Sequence, residues 1–327
     1  MRRCLDGRDG GAGRRSGVAE DGKQGATKHL LSRLPVEDDI QLALRLALEA
    51  GDILMQGLGR RHEVSHKGWR DLVSETDLAS EDAIAARLRA ERPDDAIHAE
   101  EHGSRQGRSG RRWVVDPLDG TTNFVHAHPL FCVSIALEVE GRTELGVIWA
   151  PYVGELFWAQ RGRRGALVRL PREGLRPAPP AGERVAEPLE LPGAERPLEV
   201  SGTAGLQNSL LATGFPYRHD ERRNTNLGNF NRLTPHARGI RRGGSAALDL
   251  AYVAAGRFDG FWELYLNPWD VAAGALLVAE AGGRVSTVGG GEEWRDGREI
   301  VASNGLIHNE LSGFLEPADP RADRSGA

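Results

Sequence analysis

The sequence predicts a layered α/β protein, and three observations carry that prediction. Short apolar runs bounded by turn residues alternate along the chain with stretches whose apolar side chains recur at helical spacing. Glycines and prolines fall between these stretches, where turns and helix ends need them. With 327 residues, 39% hydrophobic and 27% charged, the chain has material for one large core or two modest ones.

The first helix is marked by Ile40, Ala43, Leu44, Ala47, Ala50 and Leu54, with Gly57 and Gly59 as terminators. Residues 67–77 are polar and read as a loop around Asp71-Leu72-Val73. A second helix spans about 78–91, with Ile84 and Leu88 inward and Pro93 closing it. Strands are expected at 96–99, 113–115, 131–139, 144–150 and 155–159, with Gly141 supplying one turn. Prolines 171, 177, 179, 180, 188, 192 and 197 deny residues 169–197 ladder hydrogen bonds and mark an exposed insertion. Order returns at Leu198, and 209–213 reads as a strand. Gly243-Gly244-Ser245 opens a helix with Leu248, Ala251, Tyr252 and Ala255 on one face, ended by Gly256. Residues 258–264 form a strand, and Asp270 caps a helix that runs to Ala281 before Gly282-Gly283. Residues 1–35 are Gly- and Arg-rich without periodicity: a disordered tail, or translation from a start upstream of the true one. Residues 316–327 read as a second tail, and no internal repeat is apparent.

Composition excludes several classes. A net charge of −5 lacks the basic footprint of general nucleic-acid binding. Two distant cysteines, Cys4 and Cys132, exclude a disulfide framework and suit a reducing compartment. No apolar run approaches a membrane span, and the arginine-bearing N-terminus has neither a signal peptide's apolar segment nor a transit peptide's poverty in acids. The cytoplasm is the expected location.

The chemistry concentrates in Asp116-Pro117-Leu118-Asp119-Gly120-Thr121-Thr122, reached through Trp113-Val114-Val115. Two carboxylates beside a Gly-Thr-Thr turn can converge on one hard cation, and magnesium commonly shares its shell with a phosphate. Amides freshly exposed at a helix start form an anion site. Taken alone, Asp-Gly is equally a hairpin turn, Asp270 a cap worth about 1 kcal/mol, and Glu100-Glu101 a solvated pair. Their joint presence tips the reading toward a site. His98, His102, His126 and His128 lie nearby, but zinc takes N and S ligands in a tetrahedron, whereas these acids make an oxygen set.

Asp116 to Thr122, continuing as Asn123-Phe124-Val125-His126, resembles the signature of the inositol monophosphatase family, and Trp269-Asp270-Val271-Ala272-Ala273-Gly274 resembles that family's second signature. Glu100-Glu101, Asp71 to Asp77, Leu211 to Pro216 and Gly244 to Ala247 occur in family order, so the resemblance covers residues 36–315. It implies an αβαβα sandwich, with a metal-site half to about residue 168 and a substrate half from about 198. It also implies a hydrolase of phosphate monoesters that uses two or three Mg²⁺ ions, is inhibited by lithium and forms a homodimer.

Carried over by position, Glu100, Asp116, the carbonyl of Leu118 and Thr121 resemble ligands of one magnesium, and Asp116, Asp119 and Asp270 those of a second. Asp77 and Thr121, assisted by Glu100, resemble the group that orients the attacking water. Gly120 and Thr121 amides would hold the phosphate. Asp119, Ser245, Ala246, Glu263 and Asp270 would contact the substrate's hydroxyls, and Lys67 lies on the segment that closes over the site. A bridging Asp116 suits two metals about 4 Å apart, which stabilise both attacking and departing oxygens of an in-line displacement. No Cys or His stands in the motif as nucleophile, so direct attack by metal-activated water is expected.

The implied substrate is myo-inositol 1-phosphate or a close polyol relative. Histidinol phosphate, fructose 1,6-bisphosphate and a nucleotide 3′-phosphate are alternatives within the fold. A non-enzymatic alternative is a protein partner of the transcription machinery, a role some bacterial relatives have. Where the family shows a short hairpin after Gly165-Ala166, this chain carries the proline-rich stretch, which leaves the sheet edge there open.

Overall fold

The computed structural model describes residues 39–59, 64–68, 71–170, 191, 193–216 and 222–319. The expected N-terminal tail, most of the proline-rich stretch and residues 320–327 lie outside these. Elements are numbered here in chain order among the described residues.

Helices α1 (Asp39–Gly57) and α2 (Glu75–Glu91) flank a short antiparallel pair, β1 (Val64–Gly68) and β2 (Asp71–Ser74). The described residues of 67–77 therefore belong to strands and a helix: β2 meets α2 at Ser74, and α2 starts before residue 78. Ser74 is the N-cap, and its backbone and side chain exchange bonds with Asp77 in a capping box.

The large sheet combines β3 (Ala96–Ala99), β4 (Gly103–Arg105), β5 (Arg111–Asp119), β6 (Cys132–Val139), β7 (Arg142–Ala150), β8 (Glu155–Gln160), β9 (Arg163–Arg169) and β10 (Glu195–Pro197). Its order is β10-β9-β8-β7-β6-β5-β3-β4, antiparallel except where β3 runs beside β5. Both ends of the proline-rich stretch thus belong to the sheet, because β10 pairs with β9 through Arg196↔Leu167. Strand β5 continues four residues past the expected Val115, through the whole Asp-Pro-Leu-Asp segment.

Helix α3 (Thr121–Val125) connects β5 to β6, and α4 (Leu227–Leu233) lies between the first two strands of the small sheet that follows. That sheet comprises β11 (Leu210–Thr213), β12 (Gly239–Arg241), β13 (Gly260–Leu264), β14 (Arg284–Ser286) and β15 (Glu299–Ser303) in the order β12-β11-β13-β15-β14. Helices α5 (Ala246–Ala254), α6 (Pro268–Glu280) and α7 (His308–Gly313) complete the fold.

Alternation along the strands dictates the layers. Val133, Ile135 and Leu137 of β6 pack with α1 and α2, whereas Cys132 and Ala136 face α5 and α6. Phe261 and Ala302 of the small sheet join that second core, while Trp262 and Val301 turn outward to meet Leu233 and Leu311 from α4 and α7. The result is an αβαβα sandwich. Strand β6 is buried on both faces, which explains its near-continuous apolar run. Helix α6 lies so close to the sheet that a Cβ on Gly146 would sit 2.9 Å from the Ala273 Cα. Residues 316–319 are not a free tail: Asp319 accepts the Arg223 amide at 2.8 Å, and Ala318 donates its amide to Glu299 at 2.8 Å.

Candidate active site

The site lies where the end of β5 meets the starts of α2, α5 and α6. In a regular strand, residues three apart point to opposite faces, so Asp116 and Asp119 could not converge. The β5–β6 ladder slips between them, and this irregularity brings both carboxylates to one side. Pro117 has no N–H to lose from the interrupted ladder. Asp116, 1% exposed, accepts the Leu118 amide at 3.0 Å. Asp119 accepts the Ser245 hydroxyl and the Ala247 amide, each at 2.7 Å.

Gly120 follows with φ +98°, a left-handed backbone that favours glycine. A Cβ there would also meet the Leu130 carbonyl at 3.0 Å and the Gly244 carbonyl at 3.2 Å. The chain then turns into α3, whose first amides have no intrahelical acceptors. Thr121 Oγ1 donates to Asp77 Oδ1 at 3.0 Å and lies 3.2 Å from the Leu118 carbonyl. The other Asp77 oxygen accepts the Ser74 amide at 2.9 Å and the Ser74 hydroxyl.

Asp270 is not an N-cap. Asn267 is the cap and Pro268 opens α6, which puts Asp270 at the third helical position, where Oδ2 accepts the Asn267 amide at 2.7 Å. Its carboxylate points into the site all the same. Oxygens of Asp116, Asp119 and Asp270 all lie within 4.8 Å of one another.

So many acids in a buried place raise one another's proton affinity. Burial, then Glu100, Asp119 and Asp270, push the Asp116 carboxyl well above the carboxylate range. Burial and Asp119 push Asp270 up to about 7. Burial also raises Asp119, against the bonds from Ser245 and Ala247. Three converging oxygen donors that resist joint ionisation fit a hard divalent cation, which would let all of them ionise. Glu263 on β13 is buried and raised well above its ordinary range by that burial, against the nearby Arg242 charge. It occupies the space a Cβ on Gly214 would need.

Glu100, Asp77, Asp116, Leu118, Asp119, Gly120, Thr121, Ser245, Ala246, Glu263 and Asp270 thus surround one region. Lys67 falls in β1, where only the backbone course is described. The sequence marks Asn123 only as part of the signature; in the structure its Nδ2 donates to the Gly243 carbonyl at 2.9 Å and the Leu130 carbonyl at 2.5 Å, tying the Gly-Thr-Thr turn to the Gly-Gly-Ser turn. Asp249, which the sequence does not mark, is a buried acid whose carboxylate takes the Gly243 amide. Neither role had a spacing signal, because Asn123 reaches a turn 120 residues away and Asp249 reaches back from α5 to the turn before it.

Comparison with known proteins agrees with this geometry. Residues 36–316 match the inositol monophosphatase family. The chain belongs to that family. An inositol-1-monophosphatase of Mesorhizobium japonicum is 40% identical over 83% of the chain and 94% of its own length. The Nus factor SuhB of Pseudomonas aeruginosa is 42% identical over 86% and 97% respectively. Among solved structures, the extragenic suppressor protein suhB of Bartonella henselae superposes with a TM-score of 0.72 at 37% identity, covering 85% of this chain and 98% of its own. Among the described residues, no helix of this family member is long and apolar enough to cross a membrane.

Proposed function

We propose that the protein is a magnesium-dependent phosphomonoesterase that hydrolyses myo-inositol 1-phosphate or a closely related polyol phosphate. The observation that carries this reading is the convergence of Asp116, Asp119 and Asp270 beside the Asp77–Thr121 hydrogen bond. Glu100, Asp116, the Leu118 carbonyl and Thr121 would hold one Mg²⁺, and Asp116, Asp119 and Asp270 another. Bound there, the cations would acidify water and neutralise charge on the attacking and departing oxygens.

The chain's own residues do the rest. Thr121 gives its hydroxyl proton to Asp77, which leaves its oxygen lone pairs to receive and aim a water molecule. Gly120 and Thr121 amides face the phosphoryl oxygens. Ser245, Ala246 and Glu263 meet the polyol, with Asp119 and Asp270 between the two. Cys132 is buried beside Asp119, and burial keeps its thiol protonated, so it is no nucleophile. Attack is direct, with inversion at phosphorus.

The family resemblance supports a homodimer sensitive to lithium with Lys67 on a closing segment, while the net charge of −5 argues against a direct nucleic-acid role and the cysteine usage suits the cytoplasm. A phosphate-release panel of inositol 1-phosphate, histidinol phosphate and fructose 1,6-bisphosphate, with and without Mg²⁺, tests the assignment. Fastest turnover of the inositol ester, only with metal, is the expected result; metal-independent release would refute it.

The Pseudomonas relative named a Nus factor favours a second reading, a protein partner of the transcription machinery. An Asp116→Asn variant that loses phosphate release yet keeps the cellular phenotype would favour that role.

A further inference from the structure

Helix α2 touches the candidate site with more than Asp77. Ser80 and Glu81 lie on the same helical face, three and four positions later. Ser80 Oγ donates to the Pro117 carbonyl at 3.0 Å, between Asp116 and Leu118. Glu81 is 1% exposed, and its carboxylate gathers one turn around itself. Oε2 accepts the Glu101 amide at 2.7 Å, while Oε1 lies 2.7 Å from the His102 amide and 2.8 Å from His102 Nδ1. That turn joins β3 to the edge strand β4 and begins with Glu100, whose charge acts on Asp116.

We propose that Glu81 is a positioning residue for Glu100. A three-residue turn at a sheet edge has few restraints of its own. Charge-assisted bonds to both amides after Glu100 fix the direction in which its side chain leaves the backbone. The buried carboxylate needs these donors, and the turn needs this acceptor. One face of α2 thereby sets Thr121 through Asp77, the β5 irregularity through Ser80, and the Glu100 turn through Glu81. The inference rests on the metal-site reading above, because Glu100 matters only if a cation is held there.

The test is calorimetric Mg²⁺ titration of the wild type, Glu81→Gln, Glu100→Gln and the double variant, alongside thermal unfolding. Gln matches Glu in size but replaces one acceptor oxygen with an NH₂ that repels an amide donor. Glu81→Gln is expected to stay folded and to weaken Mg²⁺ uptake about ten- to a hundredfold, as loss of a group supporting a metal ligand typically does. On the Glu100→Gln background the same change should add little, since Glu81 acts through Glu100. His102→Ala keeps both backbone bonds and should bind as the wild type does. Uptake by folded Glu81→Gln equal to wild type, or full additivity with Glu100→Gln, would overturn the proposal and leave the site reading intact. Absence of uptake by the wild type would instead remove the site reading itself.

Discussion

Asp116 is the residue on which the proposed site turns, since in that reading it would serve both cations. Replacing it with Asn removes one charge and one ligand while keeping the shape. The expected loss is about 4 kcal/mol of transition-state stabilisation, about a thousandfold in kcat/KM, measured by phosphate release at saturating Mg²⁺. Asp270 contributes to the pH response, together with Asp116, which burial and its acidic neighbours raise well above the usual range. The Asp270 carboxyl, raised to about 7 by burial and by Asp119, holds a proton that an incoming cation must displace. Mg²⁺ affinity should therefore climb from about pH 6 to about pH 8, by up to about tenfold per unit below neutrality. For the metal-free protein the sign reverses. A raised folded-state value gives stability that is full below the unfolded value of about 3.9 and lost as pH rises through 7. In buffer without metal, melting temperature should fall across that window, and added Mg²⁺ should restore more of it at the alkaline end.

Among the elements, the start of α2 carries the sharpest prediction. Ser74→Ala breaks the capping box, so about 1 kcal/mol of stability should disappear in urea unfolding. Asp77 also loses its hydroxyl donor, so kcat should fall more than that stability loss explains. Gly146→Ala places a methyl against the α6 backbone and should cost about 1–3 kcal/mol. These elements also show what the sequence made legible. Helix α1 announces itself by periodicity, strands β6 to β8 by apolar runs between turn residues, and α6 by its acidic start and closing glycines. The start of α2 did not, since polar side chains there bond to one another and to the site instead of repeating an apolar pattern. The Ser74-x-x-Asp77 capping signal was present all the same. The extension of β5 through Pro117 was hidden because proline ordinarily ends a ladder, and only a local irregularity tolerates it. The metal-ligand candidates were readable from motifs, but Glu81 was not, because its partners belong to a hairpin known only once folded.

For the whole molecule, stability depends on how the layers are tied together. Glu155 on β8, 5% exposed, receives Arg257 from the end of α5 and Arg169 from β9. Burial alone would raise its carboxyl, but the bonds and charges of Arg257 and Arg169 outweigh it and hold it below the usual range. Its contribution is therefore present at neutral pH and lost as the solution is acidified through its depressed value. Glu155→Ala leaves Arg257, still stacked on Tyr252, without its carboxylate and should cost about 1–3 kcal/mol in chemical denaturation. The same layering puts the metal-ligand candidates on the large sheet and on α6, while Glu263 stands on the small sheet. In the proposed reading, cation and polyol would thus meet where the large and small sheets approach each other. The most direct test of this account is calorimetric titration of the wild-type protein with Mg²⁺ near neutral pH. Saturable uptake that Asp116→Asn abolishes is the predicted result, and a folded wild type that takes up no Mg²⁺ would contradict it.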